Sequence, residues 1–182
     1  MTTRPRATVE DLYKVPDNRK AEIVDGELIL MSPTGDMPSR AGFKIAMSLS
    51  RIEATVPGRA YPDNVGYKVN LPGRDSFSPD ASFYIGQPAG MRFLEGAPVF
   101  AVEVRSENDY GPNAEVSIAQ KRADYYAAGT LVVWDVDLLG HDVVKSYRAA
   151  SPDAPRVFHR GETADAEPAV PGWTIAVDEL FS

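Results

Sequence analysis

Three residues of this chain are best suited to chemistry by type and setting: Asp80, Glu103 and Lys121. Asp80 follows Pro79 where a turn-rich stretch gives way to the apolar run ASFYIG. Proline fits the start of a strand because it has no N–H to give to the ladder. Glu103 lies near the end of a second such run, PVFAVEV. Alternation along that run puts Glu103 on one face with Val99 and Ala101 and leaves Phe100, Val102 and Val104 on the other. If the two strands run antiparallel, the start of one abuts the end of the other and the two carboxylates converge at one sheet edge. A carboxylate inside an apolar strand is costly to bury unless it meets a cation or hydrogen-bond donors, and a divalent metal is such a partner. Lys121 belongs to a segment in which Ala114, Ile118, Lys121 and Tyr125 share one helical face. That face is otherwise apolar, so the ammonium is expected to point toward the sheet. There it would position an attacking water or stabilise charge developing on a phosphate. Each residue also has a plain structural reading. Asp80 and Glu103 would be solvated or loop-capping carboxylates, and Lys121 a stem lying over apolar surface with its head in water.

Secondary candidates surround these three. Glu22 opens the first predicted hairpin and Glu27 follows its turn; either could complete a metal shell, although solvated hairpin carboxylates are the simpler reading of both. Gln120 neighbours Lys121 but lies off the inward stripe. Other chemistries are poorly supplied. There is no G-x-S-x-G elbow, no G-x-x-x-x-G-K-[ST] phosphate loop and no G-x-G-x-x-G fingerprint. Tyr125, Tyr126 and Trp134 read as core or core-rim residues rather than a base-stacking platform. The absence of cysteine excludes disulfides, a thiolate nucleophile and cysteine-ligated zinc. With only His141 and His159 as imidazoles, a catalytic triad or a His-rich metal site is poorly supplied. Carboxylates are abundant, so oxygen ligands for magnesium or manganese are the natural expectation.

Composition bounds the rest. At 182 residues, 43% hydrophobic and 25% charged, the chain suits one soluble globular domain spanning 1–182, with 150–182 as a C-terminal extension docked on the core. The opening MTTRPRATVEDLY lacks the apolar core of a signal peptide. No run approaches the roughly eighteen apolar residues of a membrane span, so a cytoplasmic location is expected. The net charge of −7 argues against a broad nucleic-acid-coating surface, while leaving room for a local basic rim.

The elements that must position these residues follow from periodicity. TVEDLYKV reads as a short helix capped by Thr8, and AEIVDGELILM as a hairpin turning at Asp25-Gly26. Helical spacing runs from Arg40 to about Ala54, with Phe43, Met47 and Ser50 on one line and Ile45, Leu49 and Ile52 on the next. Residues 66–71 alternate as a strand. A long Gly- and Pro-rich loop, QPAGMRFLEGA, separates the two carboxylate-bearing strands. A helix over residues 113–128 ends before Gly129. TLVVWDVD and DVVKSYR follow as strands, then a loop SPDAP, a short strand near 156–159, and a docking tail PGWTIAVDELF that would cover the core with Trp173, Leu180 and Phe181. This order, α-β-β-α-β-β-β-α-β-β, predicts an α/β or α+β domain with a mixed central β-sheet.

Five pieces in order, AEIVDGELILMSP, SPDASFYIG, VFAVEVRSEND, KRADYYAAGTLVVWDVD and PGWTIAVDELF, resemble the Uma-two family of putative restriction endonucleases, a branch of the PD-(D/E)XK nuclease superfamily. The resemblance covers nearly the whole chain. It implies a restriction-endonuclease-like core, a mixed central sheet flanked by helices. In the family pattern the proline-aspartate pair falls on Pro79-Asp80, the acidic residue of the next strand on Glu103 and the early glutamate on Glu22. The E-x-K lysine would fall at Arg105, but the family usually carries it on the following helix, here Lys121. Arg105 is therefore the fallback for the cationic role, although a guanidinium cannot act as a base. Many relatives have a histidine soon after M-S-P, where this chain has Ser39 and Arg40.

What the resemblance implies is a metal-dependent endonuclease that hydrolyses phosphodiester bonds in DNA. Asp80, Glu103 and the backbone carbonyl of Val104 would hold one or two Mg²⁺ (or Mn²⁺) ions, Lys121 would orient the water, and Glu22 would reach a second metal. A homodimer would cut two strands. The alternative is the same fold without turnover, binding nucleic acid or a protein partner; a small phosphoesterase acting on nucleotides is a third reading.

Overall fold

Short alternating strands dominate the computed structural model, which describes residues 5–16 and 19–182. Residues 1–4, part of the opening segment read for a leader, lie outside the described residues. Helix α1 (Val9–Leu12) carries a capping box in which Thr8 and Asp11 satisfy one another's free groups. Strands β1 (Ala21–Val24) and β2 (Glu27–Leu30) pair antiparallel. The turn between them holds both Asp25 (φ 52°) and Gly26 (φ 76°) left-handed, the conformation an Asp-Gly hairpin supplies.

Helix α2 (Asp36–Ser50) follows, then β3 (Arg59–Pro62), β4 (Tyr67–Leu71), β5 (Arg74–Phe77), β6 (Ala81–Tyr84), β7 (Leu94–Glu95) and β8 (Phe100–Val104). Helix α3 (Pro112–Ala127) leads to β9 (Val132–Val136), β10 (Val144–Arg148), β11 (Ser151–Phe158), β12 (Thr163–Asp165), β13 (Thr174–Ala176) and a 3-10 helix at Val177–Phe181. A six-stranded sheet runs β11-β10-β9-β8-β6-β3, with β8 and β9 parallel and its other pairings antiparallel. A five-stranded sheet runs β2-β1-β5-β4-β7.

Alternation sorts the strands into two cores. Phe100, Val102, Val104, Val132, Trp134 and Val136 pack against α2 and the C-terminal tail. Ala101 and Val133, pointing the other way, join Tyr67, Phe77 and Tyr125 between the two sheets and α3. Trp173 of the tail is buried, with its ring 5.3 Å from Trp134 and 5.7 Å from Phe100, and its Nε1 donates to Ser48 Oγ at 3.1 Å. Leu180 is buried beside it and Phe181 partly so.

The fold is mixed α/β, as the periodicity predicts, but four details differ. The strands divide into a six-stranded, a five-stranded and a two-stranded (β12-β13) sheet rather than one central sheet. Helix α2 begins at Asp36, not at Arg40; Pro38 is tolerated in a first turn whose N–H groups have no helical partner. Its buried residues are Ala41, Gly42, Ile45, Ala46 and Leu49, while Phe43 and Met47 are 46% and 41% exposed. SPDAP is not a loop but the first part of β11, where Pro152 and Pro155 lie on an edge strand beside a shift in register. Among the described residues no helix is long and apolar enough to cross a membrane.

Candidate active site

Strands β6 and β8 run antiparallel, Ala81 opposite Val102, so the residue before β6 meets the end of β8. Asp80 N–H donates to the Val102 carbonyl at 3.0 Å, and Val104 N–H donates to Asp80 Oδ2 at 2.8 Å. The Asp80 carboxylate is thereby fixed by the neighbouring strand's own backbone. Helix α2 braces it from behind: a Cβ on Gly42 would lie 3.2 Å from the Asp80 carbonyl oxygen. Glycine there permits a close approach that a side chain would crowd.

Glu103 shares the face of Ala101, toward α3. Its Oε2 accepts from Lys121 Nζ at 2.9 Å and its Oε1 from the Tyr125 hydroxyl at 2.6 Å. Lys121 also lies 3.0 Å from Glu22 Oε1. Glu22 is buried, and both its oxygens are engaged: Oε1 also accepts Ser78 N–H at 2.8 Å and Oε2 accepts from Arg74 at 2.8 Å. Arg74 in turn donates to Asp124 of α3 at 2.7 Å. Lys20, at the entrance to β1, reaches Asp80 Oδ1 at 2.8 Å and Asp63 at 2.6 Å.

Burial and charge compete at each of these groups. Burial pushes the Glu103 carboxyl up, and Asp80 and Glu22 add to this; Lys121 opposes them without cancelling the rise. Burial also pushes Glu22 up, but Lys121 and Arg74 outweigh it and its pKa is lowered. Burial disfavours the Lys121 ammonium, yet Glu103 and Glu22 outweigh it and raise its pKa, so it stays charged. Lys20 is held charged in the same way, chiefly by Asp80 and Glu103 against its burial. Burial, with Glu103 alongside, keeps the Tyr125 hydroxyl protonated. Tyr125→Phe removes one donor to a charged, sequestered oxygen while leaving the stack on Phe77 (centroids 4.0 Å apart) intact. The expected loss of stability is about 1.5–3 kcal/mol, measured by urea unfolding.

These groups lie around a cleft of about 670 Å³ lined by Lys20, Asp80, Glu103, Val104 and Lys121, with residues 31–35 along one wall and 105–109 along another. The structure thus brings together Asp80, Glu103, Val104, Lys121 and Glu22, the last beneath Lys121. Arg105 is on the wall, committed to Asp135 by two contacts of 2.7 Å and to Glu115. Gln120 and Glu27 do not join: Gln120 is exposed and donates to Asp124 at 2.8 Å, and Glu27 is exposed beyond the hairpin turn. Gln120 sits on the outer side of α3, and Glu27, opposite Val24, is carried along the hairpin toward its turn and away from the cleft. Arg40, near the place of the relatives' histidine, donates to the Ser182 carbonyl at 3.1 Å.

Lys20, Tyr125 and Arg74 were not legible as site residues. Lys20 had one signal, since it lies two residues before Glu22 and alternation puts both on one side. Tyr125 was on the inward stripe but read as core. Asp80 and Glu103, two carboxylates beside a strand end, offer oxygen donors only, which suits a hard divalent cation. Against it, each carboxylate already has an ammonium partner. Among the described residues, the group whose three His, Asp or Glu ligand atoms converge within 4.8 Å is elsewhere, at His141, Asp142 and His159. The two imidazoles that the composition supplies thus meet beside one carboxylate, outside the cleft.

Comparison with known proteins bears on the fold and the family. The chain is similar to the crystal structure of a putative nuclease belonging to DUF820 from Anabaena variabilis ATCC 29413, at 18% identity and a TM-score of 0.73, covering 96% of this chain and 97% of that one. That likeness shows a shared fold. No curated protein matches. The family model described as putative restriction endonuclease matches residues 8–178, which include every residue named around the cleft, and the chain belongs to that Uma2 family.

Proposed function

We propose that the protein is a metal-dependent endonuclease that hydrolyses phosphodiester bonds in DNA at this cleft. The observation that carries the reading is the convergence of Asp80 and Glu103, from two antiparallel strands, with Lys121 2.9 Å from Glu103 in one cleft. Asp80, Glu103 and the Val104 carbonyl would hold Mg²⁺ or Mn²⁺, which when bound lowers the pKa of a water and neutralises phosphate charge. The chain's own residues do the rest. Tyr125 orients Glu103. Lys121 keeps its proton, so it serves as a fixed positive charge for the phosphate and a guide for the water, not as a general base. Glu22, with both oxygens occupied, positions Lys121 and does not offer itself as a ligand. Nicking of supercoiled plasmid by the wild-type chain in Mg²⁺ or Mn²⁺, and not in EDTA, tests the reading. Cutting both strands takes two such centres, which a homodimer supplies; sedimentation of the full chain tests that step.

A second reading is favoured by one observation: Lys20 and Lys121 already neutralise the two carboxylates. In that reading the fold binds nucleic acid or a protein partner without turnover, and Mn²⁺ does not bind in the cleft. Lys20→Met separates the two. If a cation must displace the Lys20 ammonium from Asp80, the substitution strengthens Mn²⁺ binding by roughly tenfold, the scale of one part-buried charge contact of about 1–2 kcal/mol. Calorimetric titration reads this directly. Unchanged or weaker binding would count against displacement.

A further inference from the structure

The two histidines of the chain meet at a place the proposed activity does not use. His141 and Asp142 lie on the connection from β9 to β10, and His159 directly follows β11. Strands β10 and β11 pair antiparallel with Val144 opposite Phe158, so the 141–142 end of the connection comes beside His159. The imidazole centroids are 4.5 Å apart. Asp142 Oδ1 lies between the rings, 3.3 Å from His141 Nδ1 and 3.6 Å from His159 Nδ1. His159 Nδ1 is also 3.1 Å from the His141 carbonyl oxygen, which orients the ring, and the residue's backbone N–H donates to Glu162 at 2.7 Å. Among the described residues the ion-pair partners of Asp142 are these two histidines; no lysine or arginine neutralises it. The group is accessible, with the His141 side chain 86% exposed.

We infer that His141, Asp142 and His159 form a site for a borderline divalent transition metal of the zinc, nickel or copper class, separate from the cleft. The assignment rests on donor chemistry. Two imidazole nitrogens and one carboxylate oxygen suit Zn²⁺, Ni²⁺ or Cu²⁺, whereas the all-oxygen set at Asp80 and Glu103 suits Mg²⁺ or Mn²⁺. Three protein ligands on an open surface leave a position for water. One ligand atom from each residue already lies within 4.8 Å of the others, close enough for one ion to draw on all three.

Such an ion ties the β9–β10 connection to the end of β11. The same connection holds Asp137, whose Oδ1 accepts Leu139 N–H and Gly140 N–H at 3.0 Å each and the Tyr110 hydroxyl at 2.8 Å. Tyr110 follows directly on the 105–109 segment that lines the cleft. The metal clip would thus brace the turn against which that wall is anchored.

The inference stands apart from the nuclease reading, and its test does not use cleavage. Zn²⁺ is titrated calorimetrically into the full-length chain in excess Mg²⁺, and into His159→Ala, His141→Ala and Asp80→Ala. The expected result is one Zn²⁺ per chain, retained in Asp80→Ala and weakened by about tenfold or more in either histidine variant. Bound Cu²⁺ should show nitrogen hyperfine coupling from two imidazoles in the wild type and from one in each histidine variant. All three groups are at the surface, so unaltered urea unfolding of the metal-free variants shows that the fold is kept. Zinc binding that survives His159→Ala unchanged, or that disappears in Asp80→Ala, would overturn the assignment, as would absence of binding by the wild type.

Discussion

Asp80→Ala should lose both Mn²⁺ binding in the cleft and plasmid nicking, which falls to background. Asp80 and Glu103 are the two carboxylates to which the metal is assigned, and the geometry of Asp80 is set partly by backbone: Val104 N–H holds one oxygen at 2.8 Å while Lys20 approaches the other at 2.8 Å. Alanine removes half of the carboxylate set and leaves Lys20 paired with Asp63 alone, its charge close to where the cation would sit. It also leaves the Val104 N–H without an acceptor, at a cost of about 1–3 kcal/mol. Asp80→Asn is the necessary companion, because it keeps the shape and an acceptor oxygen for that N–H while removing the charge. Both variants should be folded by circular dichroism and both should fail to bind Mn²⁺. If Asp80→Asn binds and nicks as the wild type does, the centre is not at Asp80. If the wild type binds no Mn²⁺ at all, the fold acts without turnover.

How much of this was readable in advance differs by residue, and the reasons are physical. Glu103 and Lys121 were legible because each breaks an otherwise apolar pattern, and Asp80 because Pro79 marks it as the start of a strand. A charge on a buried strand face or an inward helix stripe needs a partner, and the likeliest geometry for an adjacent antiparallel pair brings those partners together. The Asp25-Gly26 turn was legible because few dipeptides accept two left-handed residues in succession. Strand β5 was not, since RDSF carries no alternation of apolar residues. Its Arg74 is buried only because Glu22, 52 residues earlier, and Asp124, 50 residues later, come to meet it. Helix α2 shows a different limit. Periodicity identified two apolar lines, yet it could not say which of them faces the sheet, and Phe43 and Met47 face out. The histidine pair was hidden for the same reason as Arg74: it exists only through the β10–β11 register.

Arg74→Ala is expected to destabilise the fold by about 3–5 kcal/mol, the usual result of removing one partner from a buried ion pair. Arg74 is 5% exposed, bridges Glu22 at 2.8 Å and Asp124 at 2.7 Å, and lies 5.0 Å above the Phe77 ring. Without it, Glu22 remains sequestered with Lys121 as its only cation. Urea unfolding near neutral pH measures the loss, and a change below about 1 kcal/mol, the range of an exposed pair, would sink the argument. The pH dependence provides a second check. The folded pKa of Glu22 lies below its ordinary 4.5, so its contribution to stability is present above that value and is lost as pH falls through the folded pKa. Removing Arg74 takes away part of the lowering, so the Glu22 contribution to acid destabilisation should shrink in the variant and the two stability curves should approach one another at acid pH. Glu22 also sets the position of Lys121, so the same substitution should reduce nicking even where the variant is fully folded. That residual loss, measured at low temperature and corrected for the folded fraction, distinguishes a residue that holds the cleft's lysine in place from one that only ties the five-stranded sheet to α3.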